Sequence, residues 1–352
     1  MKILCNPGDF SCALFHIWNG WKNALEFSGH QFYWWNPEEV PAFDIFHKIE
    51  PDLFIGTTYG LDRATIKCIQ QRPNLKVVLR ASDWGNFTDT IDLNYYKILV
   101  ANKQEIELVK QLKETTGKPE FIINHYHQNW ICKTHKHWEE LGIRAVGVML
   151  GADLFNYYNG KYSEQFASDL CIISSYHPSK AINIDKYILP LCYPVGRYNI
   201  KIFSTWHWPV PQYCGSIPQS FNKNVLASAK ICLNMGEPFS QDLKYDVIER
   251  PFYILANKCF CISEYVQSMQ EDVFNEGEIP AGKTPQEYWD LIDYYLANSL
   301  ERELKAKLGH QKVMKSETYF HRISQLFTEL NMVDEANKIM NKYEEWKGQN
   351  VK

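Results

Sequence analysis

Two stretches, Asp52-Leu53-Phe54-Ile55-Gly56 and Lys76-Val77-Val78-Leu79, decide the fold. Each is apolar or β-branched almost throughout, without alternation of apolar and polar positions. Strands of this kind are covered on both faces, which is the mark of a parallel sheet with helices on either side. Working outward, 2–5, the aromatic-rich 31–35 and Lys97-Ile98-Leu99-Val100 read as three more strands, with helix-like sequence between them. The run 2–5 ends in the turn signal Asn6-Pro7-Gly8. The helix after it has Phe15, Trp18, Ala24 and Leu25 as a buried stripe and stops at Ser28-Gly29.

A second strand–helix alternation follows the polar stretch 156–168, with strands at 170–173, 200–203, Ile231-Cys232-Leu233-Asn234 and 259–262. Its clearest helix opens at Thr284-Pro285-Gln286-Glu287, an N-cap, a proline at the first helical position and a glutamate at N3. Tyr288, Leu291, Ile292, Tyr295 and Leu296 then form one buried face. Leu300, Leu304 and Leu308 continue a helical pattern to Gly309. The expected fold is α/β: two Rossmann-like, doubly wound parallel-sheet domains, 1–160 and 161–330, with a closing helix at 331–352 that packs back on the first.

The composition fits a chain with two ordinary cores: 352 residues, 45% hydrophobic and 22% charged, which excludes disorder and low complexity. Lys+Arg 37 against Asp+Glu 41 gives a net charge of −4, which argues against a global grip on nucleic acid or anionic lipid. Met1-Lys2 is followed by no apolar signal region, and the most apolar stretch, 145–155, holds Gly147, Gly151 and Asp153 and is no membrane span. Ten cysteines without a C-x-x-C pair read as reduced, mostly buried thiols. A cytoplasmic protein is expected.

Open α/β sheets bind ligands outside the carboxyl ends of their strands. In the first domain those loops contain Gly8, Asp9 and Ser11, a possible acceptor or phosphate loop whose Asp9 and Ser11 also suit capping of the first helix, then Thr57-Thr58-Tyr59-Gly60, and Arg80-Ala81-Ser82-Asp83. Neither G-x-G-x-x-G nor G-x-x-x-x-G-K-[ST] occurs, so dinucleotide-oxidoreductase and P-loop readings lose their usual support. In the second domain Ser174-Ser175-Tyr176-His177-Pro178-Ser179-Lys180 is a small-residue turn with one cation. Pro251 marks a helix start. There Arg250, the dipole and the free amides of Phe252 and Tyr253 converge on a point suited to a diphosphate.

Three stretches carry a family resemblance: Leu226-Ala227-Ser228-Ala229-Lys230-Ile231-Cys232-Leu233-Asn234-Met235, Glu249-Arg250-Pro251-Phe252-Tyr253-Ile254-Leu255-Ala256, and Glu317-Thr318-Tyr319-Phe320-His321-Arg322. In this order, with Asn298 to Arg302 before the last, they resemble the spore-maturation (CgeB-like) branch of the GT-B glycosyltransferases. Over the first half the likeness is architectural: Ala24-Leu25-Glu26-Phe27-Ser28-Gly29-His30 is similar to the usual first helix, and Val148-Met149-Leu150-Gly151-Ala152-Asp153-Leu154-Phe155 to the crossover. Two acidic positions of the family are Tyr245 and Tyr253 here, and a customary glycine is Lys258.

The resemblance implies two domains facing a central cleft and a nucleotide-diphosphate sugar, UDP being the expected nucleotide, bound mainly to the second. It implies transfer to a carbohydrate or other hydroxyl acceptor, with retention of anomeric configuration. Arg250, Lys180, Lys258 and the loop serines Ser174 and Ser175 would serve the donor, and Tyr253 its ribose. Asp83 is the candidate to orient or deprotonate the acceptor, or else an Asx-turn residue. No D-x-D occurs, so metal-independent stabilisation of the leaving diphosphate is expected, with no cofactor and no metal site. His125, His127, Cys132, His135 and His137 lack zinc spacing and read as an exposed helix-loop surface. Trp34-Trp35 and Trp206-His207-Trp208 suit either core or interface packing or stacking on sugar rings. Rival readings are a transferase acting on hydroxymethylated bases in DNA, disfavoured by the acidic pI of about 6.3, a GT-B-shaped binding protein without turnover, and a two-lobed periplasmic-type binding protein.

Overall fold

A computed structural model describes residues 1–8, 13–82 and 103–351. The chain divides into two compact units, Met1–Met149 with Phe320–Lys352, and Leu150–Tyr319. The first contains β1 (Lys2–Cys5), α1 (Ala13–Phe27), β2 (Gln31–Trp34), α2 (Ala42–Ile49), β3 (Leu53–Thr57), α3 (Arg63–Gln70) and β4 (Lys76–Arg80). It continues through α4 (Lys103–Thr116), β5 (Phe121–Asn124), α5 (Gln128–Thr134), α6 (Lys136–Glu140) and β6 (Ala145–Gly147). The strands pair in parallel in the order β2-β1-β3-β4-β5-β6. All five residues of β3 are buried, as its continuous apolar sequence requires. Phe54, Val77, Leu79 and Ile122 on one face pack with Phe46 of α2, Ile66 and Ile69 of α3, and Val109 and Leu112 of α4.

The second unit contains α7 (Leu154–Tyr157), β7 (Ser168–Ile173), α8 (Pro178–Asn183), β8 (Ile200–Phe203), α9 (Gln219–Ala227) and β9 (Ala229–Asn234). After these come α10 (Pro238–Leu243), α11 (Arg250–Ala256), β10 (Cys261–Glu264), β11 (Ala281–Gly282), α12 (Pro285–Ala297) and α13 (Ser299–Ser316). Its parallel sheet has the order β11-β10-β9-β7-β8. The chain runs from β7 outward to β8, then returns to the other side of β7 to make β9. The β7–β9 seam is therefore the switch point, where open α/β sheets bind their ligands. The last helices, α14 (Tyr319–Glu329) and α15 (Val333–Asn350), lie almost wholly in the first unit.

Two parallel-sheet α/β units are what the apolar strands predict. The N-cap also forms as read: Thr284 accepts from the Glu287 amide at 3.2 Å, and the Glu287 carboxylate accepts from the Lys283 amide at 2.8 Å. The boundaries fall earlier than residues 160 and 330, for a local reason. Ala152 bridges to Thr318, with the Ala152 amide on Glu317 O at 2.8 Å and the Tyr319 amide on Ala152 O at 3.2 Å. Both segments that cross between units are thus fastened together at the edge of the second, and α7 stays there because Tyr157 stacks on Tyr253 of α11 at 4.3 Å.

Other expectations change. The strand expected at 259–262 is Cys261–Glu264, because α11 exits through Lys258 at φ 59° with the Cys259 amide still bonded to Ile254 O. Leu300, Leu304 and Leu308 are exposed, and α13 continues beyond Gly309 to Ser316 on a buried face of Ala306, Gly309, Val313 and Met314. Gly309 is a point of close approach: a Cβ there would stand 2.6 Å from a Leu255 methyl. Strands β5, β6 and β11 are additional to those read from sequence, and 97–100 lies outside the described residues. The histidine segment is an exposed surface only in part, with Cys132 exposed and His127 and His137 half-buried. His125 and His135 are buried, His125 Nδ1 contacts Val148 O, His135 Nε2 contacts Asn124, and His127 caps α5. Burial, with Arg80 nearby, pulls the His125 pKa down to about 3.

Candidate active site

The switch point of the second unit is fastened by one side chain. Arg250, the first residue of α11, is buried and sends its guanidinium across the seam between β7 and β9. Nε donates to Ile173 O at 3.2 Å, and one terminal nitrogen to Asn234 Oδ1 and Met235 O at 3.1 and 2.9 Å. The other terminal nitrogen donates to Ser174 Oγ at 3.1 Å. These acceptors lie where β7 and β9 end, so Arg250 fixes both loops in position and leaves a permanent positive charge behind them.

Lys180 stands in α8, which begins on the β7 loop with His177 as N-cap and Pro178 at its first position. Its Nζ lies 3.4 Å from Glu237 Oε1, on the loop after β9. Burial lowers the Lys180 pKa, with Glu237 opposing and Arg250 reinforcing the shift. Behind this pair are two acids. Asp246 accepts from Ser240 Oγ at 2.5 Å, and Glu264, at the end of β10, accepts from the Gly236 amide at 2.6 Å. Burial pushes each up to about 7, with Glu237 adding to the rise at Asp246 and Arg250 opposing it at Glu264. Glu249 accepts from the Tyr319 hydroxyl at 2.6 Å and is likewise pushed up to about 7, first by burial and then by Asp153. A cation that is partly desolvated and paired with an exchangeable carboxylate is a suitable partner for an anionic ligand.

The other expected residues are distributed unevenly. Ser174 joins the constellation through Arg250, and partly exposed Ser175 follows it on the same loop. Phe252 is a core residue against Phe274, and its amide already donates to Glu249 O at 3.1 Å, so it is not a free phosphate donor. Tyr253 stacks on Tyr157, and its hydroxyl pKa is raised by burial with Arg250 opposing. Lys258 lies beyond the carboxyl end of α11, over Tyr158, a helix length of about 10 Å from Arg250. It does not converge with the other cations. Gly8 has φ 79°, and a Cβ there would meet the Tyr59 hydroxyl at 2.2 Å. Asp9, Ser11 and Asp83 lie outside the described residues. Trp35 and Trp208 are core residues, while Trp206 is 49% exposed. Among the described residues no three His, Cys, Asp or Glu side chains are grouped to hold a metal ion, and no helix is long and apolar enough to cross a membrane.

Sequence reasoning missed Glu237, Asp246, Glu249 and Glu264. For two of them a signal existed: Glu237 and Glu264 fall just after or at the ends of β9 and β10, where the carboxyl-end rule points.

Solved structures share this fold. An α-glucosyltransferase in complex with UDP-glucose and DNA containing an abasic site superposes with a TM-score of 0.61 at 10% identity, over 93% of this chain and 98% of that one. Sucrose-phosphate synthase from Thermosynechococcus elongatus gives 0.60 at 12% identity, over 94% and 99%. Anabaena Alr3699/HepE, in complex with UDP and glucose, gives 0.56 at 12% identity, over 94% and 99%. The chain has the GT-B fold. Within this GT-B chain, residues 190–328 match the family model described as glycosyl transferase-like. No curated protein matches the chain in sequence.

Proposed function

We propose that the protein is a glycosyltransferase that moves a sugar from a nucleotide-diphosphate sugar, with UDP the favoured nucleotide, to a hydroxyl acceptor. The observation that carries this reading is the Lys180–Glu237 pair set beside buried Arg250 at the β7–β9 switch point. In the transfer, the bond from the anomeric carbon to the diphosphate oxygen breaks and a bond to the acceptor oxygen forms. The acceptor hydroxyl loses its proton, and negative charge gathers on the departing diphosphate. Lys180 exchanges Glu237 for that diphosphate, and Arg250 supplies a fixed field from behind. Charge stabilisation prearranged in this way is commonly the largest part of catalysis. The reading gives Asp83 the proton of the acceptor hydroxyl, needs no metal and retains the anomeric configuration.

The family match over 190–328 and the UDP and UDP-glucose complexes of GT-B neighbours support a sugar-nucleotide donor. The test is a thermal-shift screen against UDP, GDP, ADP, CMP and their sugars, followed by NMR of the product formed from the best donor. Selective stabilisation by one nucleotide and an α-linked product from an α-linked donor are expected. Stabilisation by none, or binding with neither transfer nor hydrolysis, rejects the transferase reading.

A further inference from the structure

Trp206 is the exposed member of Trp206-His207-Trp208. Trp208 is fully buried and donates through Nε1 to Ser174 O at 2.9 Å, tying the loop after β8 to the loop after β7. The exposure of Trp206 is not that of a loose segment. Its amide donates to Ser204 Oγ at 2.9 Å, the Ser204 amide to Gly215 O at 3.0 Å, and the Tyr213 hydroxyl to Ser204 O at 2.9 Å. The indole meets the His177 ring edge-on, with centroids 5.1 Å apart and planes at 76°. His177 caps α8, the helix that carries Lys180.

Three features therefore stand in sequence along the carboxyl edge of one sheet: Arg250 across the β9–β7 seam, Lys180 after β7, and a fixed, exposed indole after β8. A nucleoside diphosphate presents a matching series: charge, a polar ribose, and a flat apolar base. Covering an indole face removes apolar surface from water, and every base has a π-face to offer it.

We propose that Trp206, supported at its edge by His177, is the stacking platform for the base of the nucleotide donor, and so selects a nucleoside diphosphate over bare diphosphate. The proposal rests on the donor reading above. The test is calorimetric titration of the wild type, Trp206→Ala, Trp206→Phe and Lys180→Ala with UDP, ADP, GDP and inorganic pyrophosphate. For the nucleotide bound best by the wild type, Trp206→Ala should weaken affinity by about 5- to 150-fold, the range for loss of a base–aromatic stack. Its pyrophosphate affinity should stay unchanged, and Trp206→Phe should restore most of the loss. If Trp206→Ala binds the nucleotide as the wild type does, or loses pyrophosphate equally, the platform is elsewhere and the proposal falls. In that case, weakened binding of both ligands by Lys180→Ala leaves the donor reading standing. If the wild type binds no nucleotide, both fall.

Discussion

Arg250 and Lys180 look interchangeable as cations in sequence, but their surroundings divide the work between them. The Arg250 guanidinium is committed to four protein acceptors. Arg250→Ala strands those buried acceptors and should cost about 3–5 kcal/mol of stability, measured by urea unfolding. Nucleotide affinity then falls because the loops lose their register. Glu249 gives a prediction of opposite character. Its folded pKa is raised to about 7, above the ordinary carboxyl value, so the folded state binds a proton that the unfolded state has lost. That contribution to stability is fully present below the unfolded pKa and disappears as pH rises to about 7. Glu249→Gln keeps an acceptor for the Tyr319 hydroxyl without titrating. Its melting temperature relative to wild type should therefore rise between pH 5 and pH 7, then level off. A pH-independent difference would contradict the assignment.

At the scale of elements, the strands with continuous apolar sequence were legible because burial on both faces leaves no room for a polar alternative. The start of α12 was legible because capping chemistry is local. Thr284→Ala should cost about 1 kcal/mol, read from thermal unfolding, as loss of an N-cap hydrogen bond does. The face of α13 was not legible. Leu300, Leu304 and Leu308 have helical spacing, yet the packed side is the one where Gly309 lets the helix approach Leu255. Two sets of residues have helical periodicity on this helix, and only tertiary contact chooses between them. The candidate site was half legible for a similar reason. Arg250 and the Lys180 loop announce themselves by position after a proline or a strand. The carboxylates around them resemble surface acids until the sheet order brings β9 and β10 beside β7. Lys258 failed because proximity in sequence to Arg250 meant the opposite end of a short helix.

For the whole molecule, the GT-B fold is shared with an α-glucosyltransferase whose structure contains DNA, yet this chain carries a net charge of −4. Neutralising phosphates requires clustered cations, and affinity then falls steeply with salt. Duplex DNA is accordingly expected to show no salt-sensitive binding in fluorescence anisotropy; strong binding at low salt that disappears on raising it would make a nucleic acid the acceptor. The central claim is narrower: the switch point of the second unit holds a nucleoside diphosphate through Lys180, once Glu237 releases it. Its most direct measurement is a titration of UDP into the wild type and into Lys180→Ala, with melting temperatures recorded alongside. Affinity should drop at least about tenfold in the variant, as loss of a charge-assisted contact implies, while the melting temperature without ligand stays unchanged. Equal affinity for UDP in the two proteins would contradict it.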